Sequence, residues 1–348
     1  MPISSTSLAE LFEVTHSLVQ APMAGVQGSA LAIAVSNAGG LGSLPCAILP
    51  PDAIRDELRA IRAGTTAPYN VNFFVHRDPY IDVEAEARWR ALLAPYYADA
   101  GIDPNDIPPS TGRMSFDHDA ADVLEEFQPP VVSFHFGLPD EALVTRVKSW
   151  GSKVIASATT VEEAEWLDAH DVDAVIAQGV EAGGHRGMFL SSDLSTQIGT
   201  FALVPQVAKA VAVPVIAAGG IADSDGVRAA RVLGAAGAQV GTAYLLCPEA
   251  TTSDLHRSAL RSEATRHTAL TNLFTGRPAR SIVNRFIREC GPISEAAPAF
   301  PLATGAVAPL RARAEQQGSS DFSPLWSGQH VVTSREIPAA ELTLQLCE

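Results

Sequence analysis

Residues 174–187 read Ala174-Val-Ile-Ala-Gln-Gly-Val-Glu-Ala-Gly-Gly-His-Arg-Gly187. The apolar run from Ala174 to Ala177 has the length and content of a strand buried on both faces, and it passes straight into glycines and polar residues with no helix-starting cap. Chemistry gathers at such junctions. Gly183 and Gly184 have no Cβ, so the backbone there can approach a planar or phosphorylated ligand and present its N–H groups. Gln178 donates and accepts at the strand end, and His185 brings the one side chain whose ordinary pKa lies near neutrality.

Outward from this stretch, short apolar runs alternate with amphipathic helical stretches, the pattern of a parallel sheet wrapped by helices. Strands are expected at 18–21, 41–44, 69–75, 131–136, 153–158, 174–177, 214–218 and 238–245. Eight of them imply a (β/α)₈ TIM barrel, whose binding residues collect at the carboxyl ends of the strands. Helices are expected at 28–37, stopped by Gly39 and Gly40, at 51–62 with proline in the first turn, and at 140–149, 160–169, 200–211 and 224–233. Thr160 and Glu163 have the spacing of a capping box. Residues 76–118 exceed a simple crossover and read as a helical insertion over the barrel mouth, with a helix at 83–97 that has Val83, Ala87, Trp89, Leu92 and Leu93 on its apolar positions and a loop at 101–112. The expected organisation is a barrel over 1–250 with that insertion, a mostly helical appendage over 251–335 (helices at 255–266, 280–290 and 306–316), and a closing helix within 336–348 that returns to the barrel.

A length of 348 residues, 47% of them hydrophobic, accommodates one barrel with insertions, and the net charge of −15 argues against nucleic acid and anionic membrane surfaces. Small molecules are the expected partners. Cys46, Cys247, Cys290 and Cys347 lie far apart with no metal spacing, so reduced thiols, no metal and a cytoplasmic setting are expected. The N-terminus lacks the pattern of a signal peptide, and no apolar run approaches the roughly 20 residues of a membrane helix.

Two further strand ends match each other. Ala218-Gly-Gly-Ile221 is followed by Asp223 or Ser224 as a helix cap, and the last strand contains Gln239-Val-Gly-Thr242. Neighbouring loops of free N–H groups after the seventh and eighth strands form the phosphate cradle of many barrels, here Gly219, Gly220, Gly241 and the Thr242 hydroxyl.

Five motifs in order, Gln20-Ala-Pro-Met-Ala-Gly25, Asn70-Val-Asn-Phe-Phe74, Ser133-Phe-His-Phe-Gly137, Gln178-Gly-Val-Glu-Ala-Gly-Gly-His-Arg-Gly187 and Ala217-Ala-Gly-Gly-Ile-Ala-Asp223, together resemble the nitronate monooxygenases of class I, once called 2-nitropropane dioxygenases. Ser327-Gly-Gln329 is also similar to that family. The resemblance implies non-covalent FMN, with its phosphate on Gly219, Gly220, Gly241 and Thr242. Ala21, Pro22, Met23, Ala24, Asn72, Gln178, Gly183, Gly184 and Gln239 would surround the rest of the cofactor. It implies His185 as the catalytic residue on the substrate side, with Gly25 and His135 as substrate contacts. The implied reaction oxidises an alkyl nitronate, such as propionate 3-nitronate, with O₂ to a carbonyl compound and nitrite, in a monomer or homodimer. His185 would either steady the anion as a donor or take the α-proton of a neutral nitroalkane.

Other side chains keep two readings. His135 either lines the cavity or is a core histidine tied to backbone; Arg186 either pairs with a carboxylate or touches ligand. His76 and Arg77 reach an anionic substrate or sit in a solvated loop. Trp89, Tyr96 and Tyr97 have the spacing of packing residues, while Phe300 and Trp326 are candidates for a cavity wall. The rival function is an NAD(P)H-dependent flavin reductase on the same barrel, acting on quinones or enoyl thioesters. A non-catalytic flavin or sugar-phosphate barrel is a second rival. A nucleotide dehydrogenase would want a cysteine after the sixth strand, and none stands there.

Overall fold

The computed structural model describes residues 7–108, 110, 114–331 and 335–348. The sequence readings at 1–6, at 109 and 111–113 within the insertion, and at 332–334 within the appendage lie outside the described residues. Among the described residues there are eleven strands: β1 (Leu18–Gln20), β2 (Gly42–Pro45), β3 (Tyr69–Phe74), β4 (Val131–His135), β5 (Lys153–Ala158), β6 (Ala174–Gln178), β7 (Gly184–His185), β8 (Val215–Ala218), β9 (Gly237–Val240), β10 (Thr268–Thr271) and β11 (Ala279–Ile282). Eight of these run parallel in the order β1-β9-β8-β6-β5-β4-β3-β2. The ring closes where Val19 bridges Leu41, with Gln20 N–H donating to Leu41 O and Leu41 N–H to Leu18 O, both at 2.9 Å. The fold is therefore the (β/α)₈ TIM barrel that the alternation implies.

Successive strand residues point to opposite faces, and the two faces have separate cores. Val19, Leu41, Val131, Ile155, Ala174, Ile176, Ile216 and Ala218 fill the interior. Val71, Val132, Val154, Val175 and Val215 pack outward on the helices. Leu8 and Phe12, from a short helix held by a Ser7–Glu10 capping box, plug the interior at the amino ends of the strands. Ligand access is thereby left to the carboxyl ends.

Several boundaries move for physical reasons. The expected strand over 238–245 is shorter, because Gly241 turns the chain into a 3₁₀ helix, Thr242–Leu246. Thr160 caps its helix, but Glu163 does not complete a capping box. Its carboxylate instead accepts from the Thr159 N–H and hydroxyl, both at 2.7 Å, and from the Phe189 and Leu190 N–H groups. In the insertion helix Val83–Ala100 the buried residues are Trp89, Leu93 and Tyr97, while Val83 is exposed.

Beyond residue 250, helices Asp254–Leu260, Arg285–Cys290 and Ala303–Gln316 surround a second sheet that the sequence reading did not include. Its order is β10-β11-β7, all antiparallel, so the appendage pairs directly with the His185 stretch. Residues 280–282, read from the sequence as helix, form a strand because Asn284 starts the helix by accepting the Ile287 N–H at 3.2 Å. Helix Ala303–Gln316 packs on the insertion, with Trp89 Nε1 donating to Ala303 O at 3.2 Å and the Tyr97 hydroxyl to Ala306 O at 2.7 Å. The final helix, Ala339–Leu346, buries Ala339, Leu342 and Leu346 against Leu18, Leu31 and Val35.

Candidate active site

At the carboxyl ends of the strands lies a cavity of about 340 Å³, within the range of small-molecule and cofactor sites. Every residue given a catalytic, cofactor or substrate role from the sequence lies on its wall: Ala21 to Gly25, Asn72, His135, Gln178, Gly183, Gly184, His185, Gly219, Gly220, Gln239, Gly241 and Thr242; Trp326 lines it too, whereas His76, Arg77, Arg186 and Phe300 do not. Among the described residues the wall carries no aspartate or glutamate, although the chain holds 39 of them. Its ionisable groups are His135, His185, His256, His330 and Arg311.

One end is made of backbone. Gly219 (φ +112°) and Gly220 (φ +71°) adopt left-handed backbone that side chains resist, and a Cβ on Gly219 would sit 3.0 Å from Ala182 N, Gly179 O and Thr200 Oγ1. A segment from the far end of the chain crosses here. Gly328 N–H donates to Thr242 Oγ1 at 2.9 Å, Gln329 N–H to Glu181 O at 3.0 Å, and His330 Nδ1 to Gly220 O at 3.1 Å. The Thr242 hydroxyl accepts from Gly328 and so keeps its own proton for an anion. Asp223 caps the following helix by accepting the Gly226 N–H at 2.8 Å, and therefore takes up part of that helix end itself. The sequence argument for Gly183 needs revision: a Cβ there would meet Gly328 N at 2.5 Å, so its smallness admits the crossing segment. Gly184 (φ +71°) has nothing within 4 Å of the Cβ position.

The Ala21–Gly25 loop is held from beneath by buried amides. Gln20 Nε2 donates to Gln27 Oε1 at 2.7 Å, which also accepts the Met23 N–H at 3.2 Å, and Asn70 Nδ2 donates to the Ser43 hydroxyl at 3.0 Å. Asn72 spends its Nδ2 on Ser133 Oγ at 2.9 Å. Gln239 Oε1 is buried with no hydrogen-bond partner among the described residues.

The other end is made of side chains. His185 is ringed by Phe74 (centroids 5.7 Å apart), Phe136 (5.9 Å), Phe300 (5.6 Å) and Trp326 (5.4 Å). Phe136 has φ +77°, costly for a bulky residue, and its ring carries the Arg277 guanidinium 3.8 Å from its centroid. The His185 carbonyl is gripped twice, by Gln178 Nε2 at 3.0 Å and by His135 Nε2 at 3.1 Å. A carbonyl only accepts, so His135 carries its proton on Nε2 and accepts at Nδ1 from the Ser157 hydroxyl, 3.0 Å away. Burial pushes the His135 pKa down to about 3, which keeps the ring neutral. His135 thus fits both of its readings, being tied to backbone and exposed on the cavity wall.

Arg186 follows neither of its readings. It is wholly buried and donates to Gln178 O at 2.6 Å, Gly179 O at 2.7 Å and Gln197 Oε1 at 2.9 Å, and burial pushes its pKa down to about 9. It braces the β6 turn from behind. His76 packs edge-on against Phe300, centroids 5.0 Å apart. His256, Thr275, Phe322 and the Thr304-Val307-Ala308-Arg311 face of helix Ala303–Gln316 also line the cavity and were missed. Only the helical spacing of that last group was visible in the sequence. Burial pushes His256 down to about 4.

The chain as a whole is similar to known proteins. A model of the family described as nitronate monooxygenase matches residues 5–348. The chain is 42% identical to a nitronate monooxygenase of Paraburkholderia phytofirmans, covering 98% of this chain and 93% of that one. It is 41% identical to one of Pseudomonas aeruginosa, covering 97% of each. Among solved structures, nitroalkane oxidase from Streptomyces ansochromogenes superposes with a TM-score of 0.89 at 39% identity, covering 98% and 97% of the two chains. FabK from Thermotoga maritima gives a TM-score of 0.73 at 28% identity, covering 99% and 95%.

Proposed function

The chain belongs to the nitronate monooxygenase family of oxidoreductases, and on that premise we propose that it binds FMN and uses O₂ to convert alkyl nitronates to carbonyl compounds and nitrite. The observation that carries this reading is the wall chemistry: a cavity with no described carboxylate, in a chain of net charge −15, suits two anions, a cofactor phosphate and a nitronate. The residues fit the cofactor. The left-handed Gly219–Gly220 turn and the Thr242 hydroxyl offer donors to a phosphate, and the unpartnered Gln239 Oε1 matches a ring or ribityl donor. When bound, FMN supplies the electron and oxygen chemistry that no side chain here provides.

The protein's own part is to bind and orient. The amides of Asn72 and Gln178 are locked by β4 and by the 185–187 backbone, so the wall does not reorganise around a ligand. The aromatic ring about His185 excludes water, which strengthens its hydrogen bonds to a bound anion. His185 donates to the oxygens of a nitronate. With a neutral nitroalkane it takes the α-proton: the C–H bond breaks, the proton goes to the imidazole, and the electron pair stays on the substrate as the nitronate.

The test is oxygen uptake with ethylnitronate or propionate 3-nitronate as sole reductant, alongside a visible spectrum. Uptake with stoichiometric nitrite and a flavin spectrum is expected. A colourless protein that takes up no FMN overturns the reading, and rapid anaerobic bleaching by NADPH would favour a reductase instead.

A further inference from the structure

We propose that Thr275, in the appendage, is the positioning residue that sets the His185 imidazole. The inference rests on the reading of His185 as the substrate-side residue. Thr275 lies in the turn between β10 and β11 and is nearly fully buried, and its Oγ1 is 3.0 Å from His185 Nε2. The turn is tight: Gly276 N–H donates to Asn272 O at 2.7 Å, and at Gly276 (φ +88°) a Cβ would collide with the Pro298 carbonyl. The hydroxyl also has two backbone neighbours, the Arg277 N–H and the Arg277 carbonyl, each 3.4 Å away.

This arrangement gives the ring a partner in either protonation state. When Nε2 is bare, the Thr275 hydroxyl donates to it. When Nε2 carries a proton, the hydroxyl accepts, and it turns its own proton to the Arg277 carbonyl. A proton taken from substrate enters the other nitrogen, Nδ1, while Nε2 keeps its own proton on the Thr275 hydroxyl, so the contact is the same before and after and no heavy atom moves. The ring orientation is therefore conserved while its charge changes, which a group that both steadies an anion and accepts a proton requires. The backbone agrees: β11 pairs Ala279 with His185, so one hairpin fixes both the main chain and the ring of that residue. Valine in place of Thr275 would preserve shape and remove only the hydroxyl.

The holoenzymes of Thr275→Val, Thr275→Ser and His185→Asn are assayed on nitroethane and on ethylnitronate. Thr275→Val is expected to lower kcat on nitroethane about threefold to tenfold, the effect of one net hydrogen bond, with KM and FMN content near wild type. Thr275→Ser restores kcat to within about twofold, because it retains the hydroxyl. In a second measurement, ¹⁵N NMR of histidine-labelled wild-type protein, assigned through His185→Asn, reads a hydrogen-bonded Nε2. A Thr275→Val enzyme as fast as wild type while His185→Asn is slow overturns the inference and leaves the role of His185 standing. A His185→Asn enzyme as fast as wild type sinks the reading beneath it. Should Thr275→Val fail to fold, a wild-type Nε2 shift typical of a nitrogen without a partner overturns the proposal by itself.

Discussion

The two ends of the cavity are built by opposite means. At the Gly219–Gly220 end the chemistry is carried by backbone whose conformation is decided within a few residues. At the His185 end it is carried by side chains that arrive from β3, from the loop after β4, and from positions 275, 300 and 326. At Gly219 the first end has no space for an added side chain, because backbone atoms already stand 3.0 Å from the Cβ position; the second tolerates change in proportion to how many contacts a residue makes. Substitutions should separate the two.

The sharpest break comes from Gly219→Val. Left-handed backbone and the 3.0 Å contacts leave no room for the side chain, so the protein should be purified colourless and lose about 1–3 kcal/mol of stability by thermal unfolding. At the opposite end, His185→Asn should retain its flavin yet lose about 10²–10⁴-fold in nitroalkane turnover, with a smaller loss on the preformed nitronate. Equal losses on both substrates would assign His185 a donor role alone.

Acid titration probes the joint between the two ends. His135 is held neutral with a pKa of about 3, while an unfolded imidazole takes its proton near 6.5. Above pH 6.5 neither state is protonated and stability is unaffected. As pH falls from about 6.5 toward 3 the unfolded state binds the extra proton, so stability is lost across that window. His135→Gln, which keeps a donor for the His185 carbonyl, should flatten this acid limb in Tm against pH. The smallest effect belongs to His330→Ala, which removes one hydrogen bond to Gly220 and should weaken FMN affinity about threefold to tenfold by titration of apoprotein.

The same contrast explains what could be read from the sequence. Barrel strands such as β6 and β8 were legible because they are short apolar runs buried on both faces, Ala174 to Ala177 among them. The glycine turns were legible because a left-handed conformation is a local demand that glycine answers. Strands β10, β11 and β7 were not. Thr-Ala-Leu-Thr, Ala-Arg-Ser-Ile and Gly-His lack alternation, and they become strands only through pairing between segments up to a hundred residues apart. Arg280 even sits inside one of them, buried, because its guanidinium turns back to donate to Val180 O at 2.8 Å. Arg186 was misread for a similar reason: three oxygens from its own neighbourhood stand where a carboxylate was expected. Thr275 gave no signal at all, since a threonine in a turn is ordinary until its neighbour in space is known.

The crossing of Gly328 over Thr242 has a consequence for how the molecule comes into being. As the polypeptide leaves the ribosome, all eight barrel strands emerge before residue 250, yet the rim around Thr242 is completed only when Gly328, 86 residues after Thr242, has followed. A nascent or prematurely ended chain would hold an open-sided basin in place of a closed one. Closure of the glycine end around whatever anion it takes thus waits on the synthesis of Gly328.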